Sequence, residues 1–399
     1  MTQPSPSNSL KREVCEAVDR LRDELIAVSR GIHAEPELNF QEVKAAARLV
    51  GAAERHGLPV ARGAYGLPTA FESEFGSTGS ACVAILAEYD ALPEIGHACG
   101  HNLIATAALG ATLALAKLGD RLPGRVRFLG TPAEEGGGGK ELMARQGAFK
   151  GVDAAMMIHP YGFNLATMPT LAITAVTATY HGKAAHAAVQ PWDGINALDA
   201  LVIGYQAIAA LRQHIKPTER LHGIITDGGK AANVVPERAV GTFYIRSDTA
   251  SSLATLRRRV VACLEAGATA AGARLELETP GVDYLDLETN WPLARMFQRN
   301  AEALGREFLS LDDPLAKRAG STDMGNVSHY VPSIHPMVAA APKDCVIHHA
   351  DFARWAASEM GDQAAIDGAK ALAMTALDFL IDEELRAKVR ASFSALGTA

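Results

Sequence analysis

Residues 81–118 do most to limit the folds open to this chain. A short apolar run at 81–87 predicts a buried strand, and the Ala-rich apolar run at 103–118 predicts a buried helix. Between them, residues 88–101 read Glu-Tyr-Asp-Ala-Leu-Pro-Glu-Ile-Gly-His-Ala-Cys-Gly-His. A strand that passes through a polar turn into a buried helix belongs to an α/β sheet, and such sheets place their sites at the carboxyl ends of strands. Cys99 and His101 stand two apart, with Gly100 between them. A thiolate and an imidazole at that spacing can bind one borderline-soft divalent cation or bridge two, and the glycine lets the backbone turn tightly between them. On its own such a pair is more often a buried cysteine beside a hydrogen-bonded histidine. Other strand ends decide between the two readings.

A chain of 399 residues exceeds what one core usually supports, which predicts two domains. A net charge of −7 argues against nucleic-acid and membrane-surface partners. Five cysteines without close pairs suggest a reducing compartment. Residues 1–9, rich in Pro, Ser and Asn, are expected to lack packed structure and have no apolar core of a signal peptide. The apolar run at 103–116 is too short to span a bilayer. The expectation is a soluble, cytoplasmic protein.

Leu10, Val14, Val18, Leu21, Leu25 and Val28 recur at helical spacing, predicting a helix over 9–32 that ends before Pro36. A second helix is expected at 41–55 and strands at 70–75 and 82–87. A strand at 125–129 runs into Gly130-Thr-Pro-Ala-Glu134-Glu135, followed by four glycines. Adjacent carboxylates beside a loop without side chains suit a metal ligand and a base facing a cavity, though an isolated Glu-Glu pair is commonly a solvated turn. After a short helix at 140–146, a strand at 153–158 ends at His159-Pro160, the third strand end with a metal-competent group.

The pattern changes near residue 170. A strand at 171–180, a helix at 195–214, strands at 222–225 and 239–246, a helix at 252–267 and a strand at 274–278 follow in the order βαββαβ, the ferredoxin-like signature. This places an inserted domain at 171–284, with the first domain made of 1–170 and 285–399. A helix at 291–304, a polar turn at 320–323, a strand at 334–340, a turn at 345–349 and two helices at 351–361 and 363–381 complete it.

Cys99, His101, Glu134, Glu135, His159, His348 and His349 are then the candidates for a binuclear hydrolytic centre, which needs a bridge, terminal ligands and a separate base. One allotment has Cys99 bridging, His101 and Glu135 on one metal, His159 and His348 on the other, and Glu134 as the base.

The sequence resembles the co-catalytic metallopeptidases of the aminoacylase, carboxypeptidase G and succinyl-diaminopimelate desuccinylase family. Within it, the amidohydrolase branch of auxin-conjugate hydrolases, aminobenzoyl-glutamate hydrolases and aminoacylase-like dipeptidases is the nearest. The segments that carry the resemblance are 32–37, 87–93 with 97–102, 132–136, 233–236 and 320–323. The resemblance implies a zinc-peptidase-like catalytic domain with a central mixed sheet and an inserted lid and dimerisation domain. It implies Cys99, His101, Glu135, His159 and His348 as ligands of two divalent ions, zinc or manganese, and Glu134 as general base. The last ligand motif reads His348-His349-Ala-Asp-Phe, leaving His348 and His349 open. The wider family carries His-x-Asp at the second strand end; here Glu88-Tyr89-Asp90 stands there, and Asp90 reads equally as a residue orienting a metal histidine or as a turn cap. His186 matches a histidine that reaches the partner subunit's active site and steadies the oxyanion. Asn233 and Arg246 match binders of the substrate carboxylate; Ser321 and Thr322 join them as substrate-binding candidates. The implied activity is hydrolysis of an N-acyl or peptide amide next to a free carboxylate, in a homodimer formed through the insert. A dipeptidase requiring a free amine and a non-catalytic binding protein are the alternatives.

Overall fold

The computed structural model describes residues 6–78 and 81–396. It divides into two compact units: Met1–Pro169 with Leu287–Ala399, and Thr170–Asp286. The first unit begins with α1 (Pro6–Ala34), α2 (Val43–Arg55), β1 (Ala61–Arg62), β2 (Phe71–Gly76), β3 (Cys82–Ala87), α3 (His101–Ala116), β4 (Arg125–Gly130), α4 (Gly139–Arg145), β5 (Ala154–Met156) and β6 (His159–Tyr161). The second unit holds β7 (Ala172–His181), α5 (Ala197–Leu211), β8 (Arg220–Asp227), β9 (Arg238–Ser247), α6 (Ala250–Ala271) and β10 (Arg274–Glu278). The first unit resumes with α7 (Trp291–Glu302), α8 (Met324–Tyr330), β11 (Ser333–Ile334), β12 (Met337–Ala339), α9 (Ala350–Trp355), α10 (Glu359–Ile381) and α11 (Glu383–Leu396).

The first unit is a mixed α/β fold. Its sheet has the order β1-β2-β4-β3-β5-β11, antiparallel at β1–β2–β4 and parallel from β4 through β3 and β5 to β11. Every residue of β3 is buried, as a central strand covered on both faces requires. Alternate side chains explain how. Val83, Ile85 and Ala87 join the core formed with α1, α3 and α10, while Cys82, Ala84 and Leu86 face Met143, Met324 and Val327 of α4 and α8. Helix α3 is buried from His101 to Leu115, so no polar stripe was available to its sequence.

The second unit is a four-stranded antiparallel sheet of order β10-β7-β9-β8 with α5 and α6 on one face. Strand β7 alternates strictly, burying Ala172, Thr174, Val176, Ala178 and Tyr180. The two helices approach closely at Gly204 and Gly267; a Cβ on Gly267 would lie 2.3 Å from the Ala200 carbonyl oxygen. Asn196 and Thr249 cap α5 and α6 through their side chains.

Several sequence expectations need correction. Residues 6–9 are helical, because α1 begins at Pro6, and proline is well suited to a first helical turn; residues 1–5 lie outside the described part. The strand expected to run to residue 158 stops at Met156, and His159 opens the separate strand β6. The strand expected over 334–340 is likewise two, β11 and β12, broken at His335-Pro336, since Pro336 has no N–H for a ladder. Helix α8 follows the 320–323 turn, where no helix was expected. The helices expected at 351–361 and 363–381 are Ala350–Trp355 and Glu359–Ile381, divided where the Ser358 side chain accepts the Gly361 N–H. A third terminal helix, α11, was not anticipated.

Candidate metal centre

Strand β3 ends at Ala87, and Glu88, Tyr89 and Asp90 continue from it, all buried. The chain returns to the same place through Cys99-Gly100-His101. Gly100 has φ +78°, and a Cβ there would lie 2.6 Å from Pro160 Cγ and 3.1 Å from Phe352 Cε1, so neither the backbone nor the space admits a side chain. His101 is the first residue of α3 and is wholly buried. Its Nδ1 lies 3.0 Å from Asp90 Oδ1, while Asp90 Oδ2 accepts the Glu135 N–H at 2.9 Å. One carboxylate thus fixes both the His101 ring and the Glu135 backbone. Burial opposes a charge on His101, but Glu88, Cys99 and Asp90 together hold its pKa well above the usual imidazole range.

His101 Nε2 faces an acidic wall: Glu88 Oε1 at 3.3 Å, Glu135 Oε1 at 3.9 Å and Glu134 Oε2 at 4.0 Å. The loop that delivers both glutamates leaves β4 at Gly130. Ala133 in it has φ +58°, a left-handed conformation that costs a non-glycine residue about 1–2 kcal/mol. The buried Glu42 carboxylate holds it there, accepting the N–H groups of Ala133 at 2.8 Å and Phe40 at 3.0 Å and the Thr69 hydroxyl at 3.0 Å. Burial, with help from Asp90, raises Glu42 to about 7. Burial and the neighbouring Glu88 and Glu135 raise Glu134 well above the carboxylate range, the direction a proton-carrying group needs near neutral pH.

Cys99 Sγ lies 3.4 Å from His159 Nε2, and His159 Nδ1 lies 2.8 Å from the Pro160 carbonyl oxygen. An acceptor at Nδ1 places the hydrogen there and leaves Nε2 as a lone pair toward the sulfur. Burial lowers His159 to about 4, keeping it neutral. Burial and Glu135 push the Cys99 thiol up, so a thiolate needs a cation beside it. His348, with φ +62° and a half-exposed side chain, reaches Glu135 Oε1 at 3.1 Å. His349 turns away, its Nδ1 accepting the Asp351 N–H at the start of α9.

Three sets of donor atoms each lie within 4.8 Å of one another: Cys99, His101 and His159; Cys99, Glu135 and His348; His101, Glu134 and Glu135. The first two share Cys99. They group His101 with His159 and Glu135 with His348, while the third joins His101 to Glu135 as in the allotment written from sequence. His101 Nε2 and Glu135 Oε1 are buried without a hydrogen-bond partner among the described residues. Buried polar atoms of that kind are costly unless something pairs with them, and a sulfur, imidazole and carboxylate set fits zinc or manganese.

Sequence reasoning missed a layer of charge behind these residues. Lys140, fully buried, donates to Glu88 Oε2 at 2.5 Å and Asp323 Oδ1 at 2.6 Å, and its backbone N–H donates to Asp323 Oδ2 at 2.9 Å. It also missed His335, buried with its ring 5.3 Å from and edge-on to that of His159. Of the polar turn, Thr322 accepts the Met324 N–H and so starts α8, and Ser321 is half-buried beside it. In the second unit, His186 and Asn233 are neighbours: His186 is exposed, bridges to Val234, and is followed by Ala187, whose N–H donates to the Asn233 carbonyl. Arg246 lies on β9, opposite Arg220 of β8.

The profile of peptidase family M20/M25/M40 matches residues 84–378. The chain is 42% identical over 398 residues to the Xaa-Arg dipeptidase of Mus musculus, covering 96% of this chain and 92% of that one. It is 36% identical over 289 residues to a p-aminobenzoyl-glutamate hydrolase chain of Escherichia coli (strain K12), covering 67% of this chain and 59% of the other. A dinuclear metal binding peptidase from the M20 family of Bacillus subtilis shares the fold at TM-score 0.70 and 19% identity, over 91% of this chain and 99% of that one.

Proposed function

Since the chain belongs to peptidase family M20/M25/M40 and so is an amide-bond hydrolase, we propose that it cleaves a peptide or N-acyl amide next to a free carboxylate at the Cys99-centred site. The observation that carries this is the pair of donor triples sharing one sulfur, with His101 Nε2 and Glu135 Oε1 buried and lacking hydrogen bonds. Cys99, His101 and His159 would hold one divalent ion, and Cys99, Glu135 and His348 the other, zinc or manganese. Such ions polarise a carbonyl and acidify water. Asp90 holds the His101 ring and the Glu135 backbone in register. Glu134, with its raised pKa, takes a proton from the attacking water and returns it to the leaving amine.

The second unit, with its βαββαβ order, is read as a ferredoxin-like lid and dimerisation domain. The exposed edge strand β8, carrying Ile224 and Ile225, suits pairing with a second copy. In that reading His186 steadies the oxyanion in the partner subunit, Asn233 and Arg246 bind the substrate carboxylate, and Ser321 and Thr322 are further substrate-binding residues. All five cysteines are unpaired, which supports a reducing, cytoplasmic location; no helix among the described residues is long and apolar enough to cross a membrane.

The names of the mouse and bacterial relatives set the order of testing: dipeptides ending in arginine first, then aminobenzoyl-glutamate and N-acetyl amino acids, each with zinc and manganese. Turnover of the dipeptide but not of its N-acetylated form assigns a dipeptidase; the reverse assigns an acylase. Glu134→Gln is expected to retain metal and fold while losing turnover by about 10²–10⁴-fold. A wild-type turnover number in that variant refutes the site.

A further inference from the structure

The loop after β4 carries Glu134 and Glu135 directly before four consecutive glycines. Side chains are excluded there. A Cβ on Gly137 would lie 2.5 Å from Ala133 Cβ and 2.7 Å from Phe40 Cε2, and one on Gly139 would lie 1.9 Å from the Pro132 carbonyl oxygen. Glycine also has the most backbone freedom to lose on folding. A loop of this composition cannot fix a carboxylate by itself, so the restraint has to come from outside it.

It comes from the turn between α1 and α2, three of whose residues reach the loop. Glu42 Oε1 accepts the Ala133 N–H at 2.8 Å, Asn39 Nδ2 donates to the Glu135 carbonyl oxygen at 3.0 Å, and the Phe40 ring lies against Gly137. The turn is itself braced. The Glu37 carboxylate accepts the Lys44 N–H at 2.8 Å and the Ala45 N–H at 2.9 Å, and the Glu37 carbonyl accepts the Ala91 N–H at 2.8 Å. Glu42 Oε1 also accepts the N–H of Phe40, whose φ is +61°. Asn39 therefore projects from a fixed point. Its amide is oriented by chemistry, because a carbonyl oxygen only accepts and must face the NH₂. With Asp90 on the Glu135 N–H and Asn39 on the Glu135 carbonyl, the peptide bonds on both sides of Glu135 are held. Glu134 then lies between two anchored N–H groups, those of Ala133 and Glu135.

We propose that Asn39 is a positioning residue for catalysis: by gripping the Glu135 carbonyl, its amide keeps the Glu134 carboxylate where it meets the attacking water. The proposal rests on the reading of Glu134 as general base. Stability alone explains Asn39 poorly. Its Oδ1 is buried without a hydrogen-bond partner among the described residues, so removing the amide removes one bond and one stranded acceptor together, and these effects oppose each other. Rate explains it better, since misplacing a reacting group by about 1 Å costs about 10²-fold.

The test is steady-state kinetics of full-length, metal-loaded Asn39→Asp and Asn39→Ala on the amide that wild type turns over, with metal content after gel filtration and thermal denaturation. Aspartate keeps the shape and turn preference of asparagine but sets an oxygen against the Glu135 carbonyl; alanine removes the group. Both should lose about 10- to 100-fold in kcat, with KM within about twofold of wild type. Both should keep two ions and a Tm within about 4 °C of wild type. Asn39→Gln, which carries the same donor one methylene further out, should recover part of the kcat that alanine loses. Wild-type kcat in the aspartate and alanine variants overturns the proposal. Loss of an ion together with kcat overturns it too, because Asn39 would then act through the ligand Glu135. Wild-type turnover in Glu134→Gln is a separate failure, which overturns the base and the proposal together.

Discussion

Replacing Lys140 by methionine is the sharpest test of how the centre is supported. Lys140, Glu88 and Asp323 are all without solvent exposure, and the ammonium contacts one oxygen of each carboxylate. Methionine fills a similar volume but leaves two buried carboxylates without their cation. Removing one partner of a buried pair costs about 3–5 kcal/mol, because the remaining charge is stranded. The cost depends on pH in a direction that can be worked out. With Lys140 present, burial raises Asp323 to about 6, whereas Glu88 is held near 2 because Lys140 and the surrounding histidines overcome burial. Without the ammonium both carboxyls move upward. Acids with folded pKa values above their unfolded ones destabilise the folded state as pH rises through that interval. The loss of stability in Lys140→Met should therefore be largest at pH 8 and shrink toward pH 5. Urea unfolding of chelator-treated protein measures it, in a Trp192→Phe background where Trp291 and Trp355 report on the unit that holds the triad. A loss below about 1 kcal/mol at pH 8, or one equal at both pH values, would refute the reasoning.

Gly100→Ala should cost about 2–5 kcal/mol, from an unfavourable φ and from overpacking against Pro160 and Phe352. Its metal affinity should fall with it, because Cys99 and His101 flank the strained residue; unchanged thermal stability and affinity would count against the turn geometry. His348→Ala should bind its second ion at least tenfold more weakly, while His349→Ala stays within about twofold of wild type in metal content and turnover, since His349 only caps α9; isothermal titration and steady-state kinetics separate them. Mixing His186→Ala with Glu134→Gln should restore about a quarter of wild-type activity if subunits exchange statistically in a two-fold dimer. No recovery despite exchange shown by labelled chains would place His186 outside the partner's site.

Much of the site was legible because its residues lie at strand ends flagged by sharp changes of composition. Cys99 and His101 stand between two apolar runs, Glu134 and Glu135 precede four glycines, and His159 ends an apolar segment. The supports were not legible, because they join distant residues of common type. Nothing local distinguishes Lys140 from a solvated lysine on a short amphipathic helix, and its partners Glu88 and Asp323 are brought to it only by the sheet and α8. Glu42 reads as an ordinary acid near a helix start; its hold on Ala133 depends on the loop after β4 passing beside it. His335 was invisible for another reason: 334–340 reads as one continuous strand, and only Pro336 hints that β11 and β12 pair with different strands. His348 and His349 could be told apart only by backbone conformation, with φ +62° at His348 aiming it at Glu135.

The pairing of β5 with β11 sets a schedule for the chain as it is made. Ala155 meets Ser333 across the sheet, yet the whole of Thr170–Asp286 is translated between them. At about 5–20 residues per second, the ribosome needs on the order of ten seconds to deliver that insert. Through that interval the growing sheet has an apolar edge at Ala154–Met156 with nothing to zip against, and the cluster around Cys99 still lacks His348. The insert can fold on the ribosome while its host remains half-built. Nascent chains stalled at about residue 330, with the insert clear of a tunnel that holds about 40 residues, should then resist protease over Thr170–Asp286 and be cut within 1–169, and the released full-length chain should resist throughout; equal protection of both units at the stall would contradict this order.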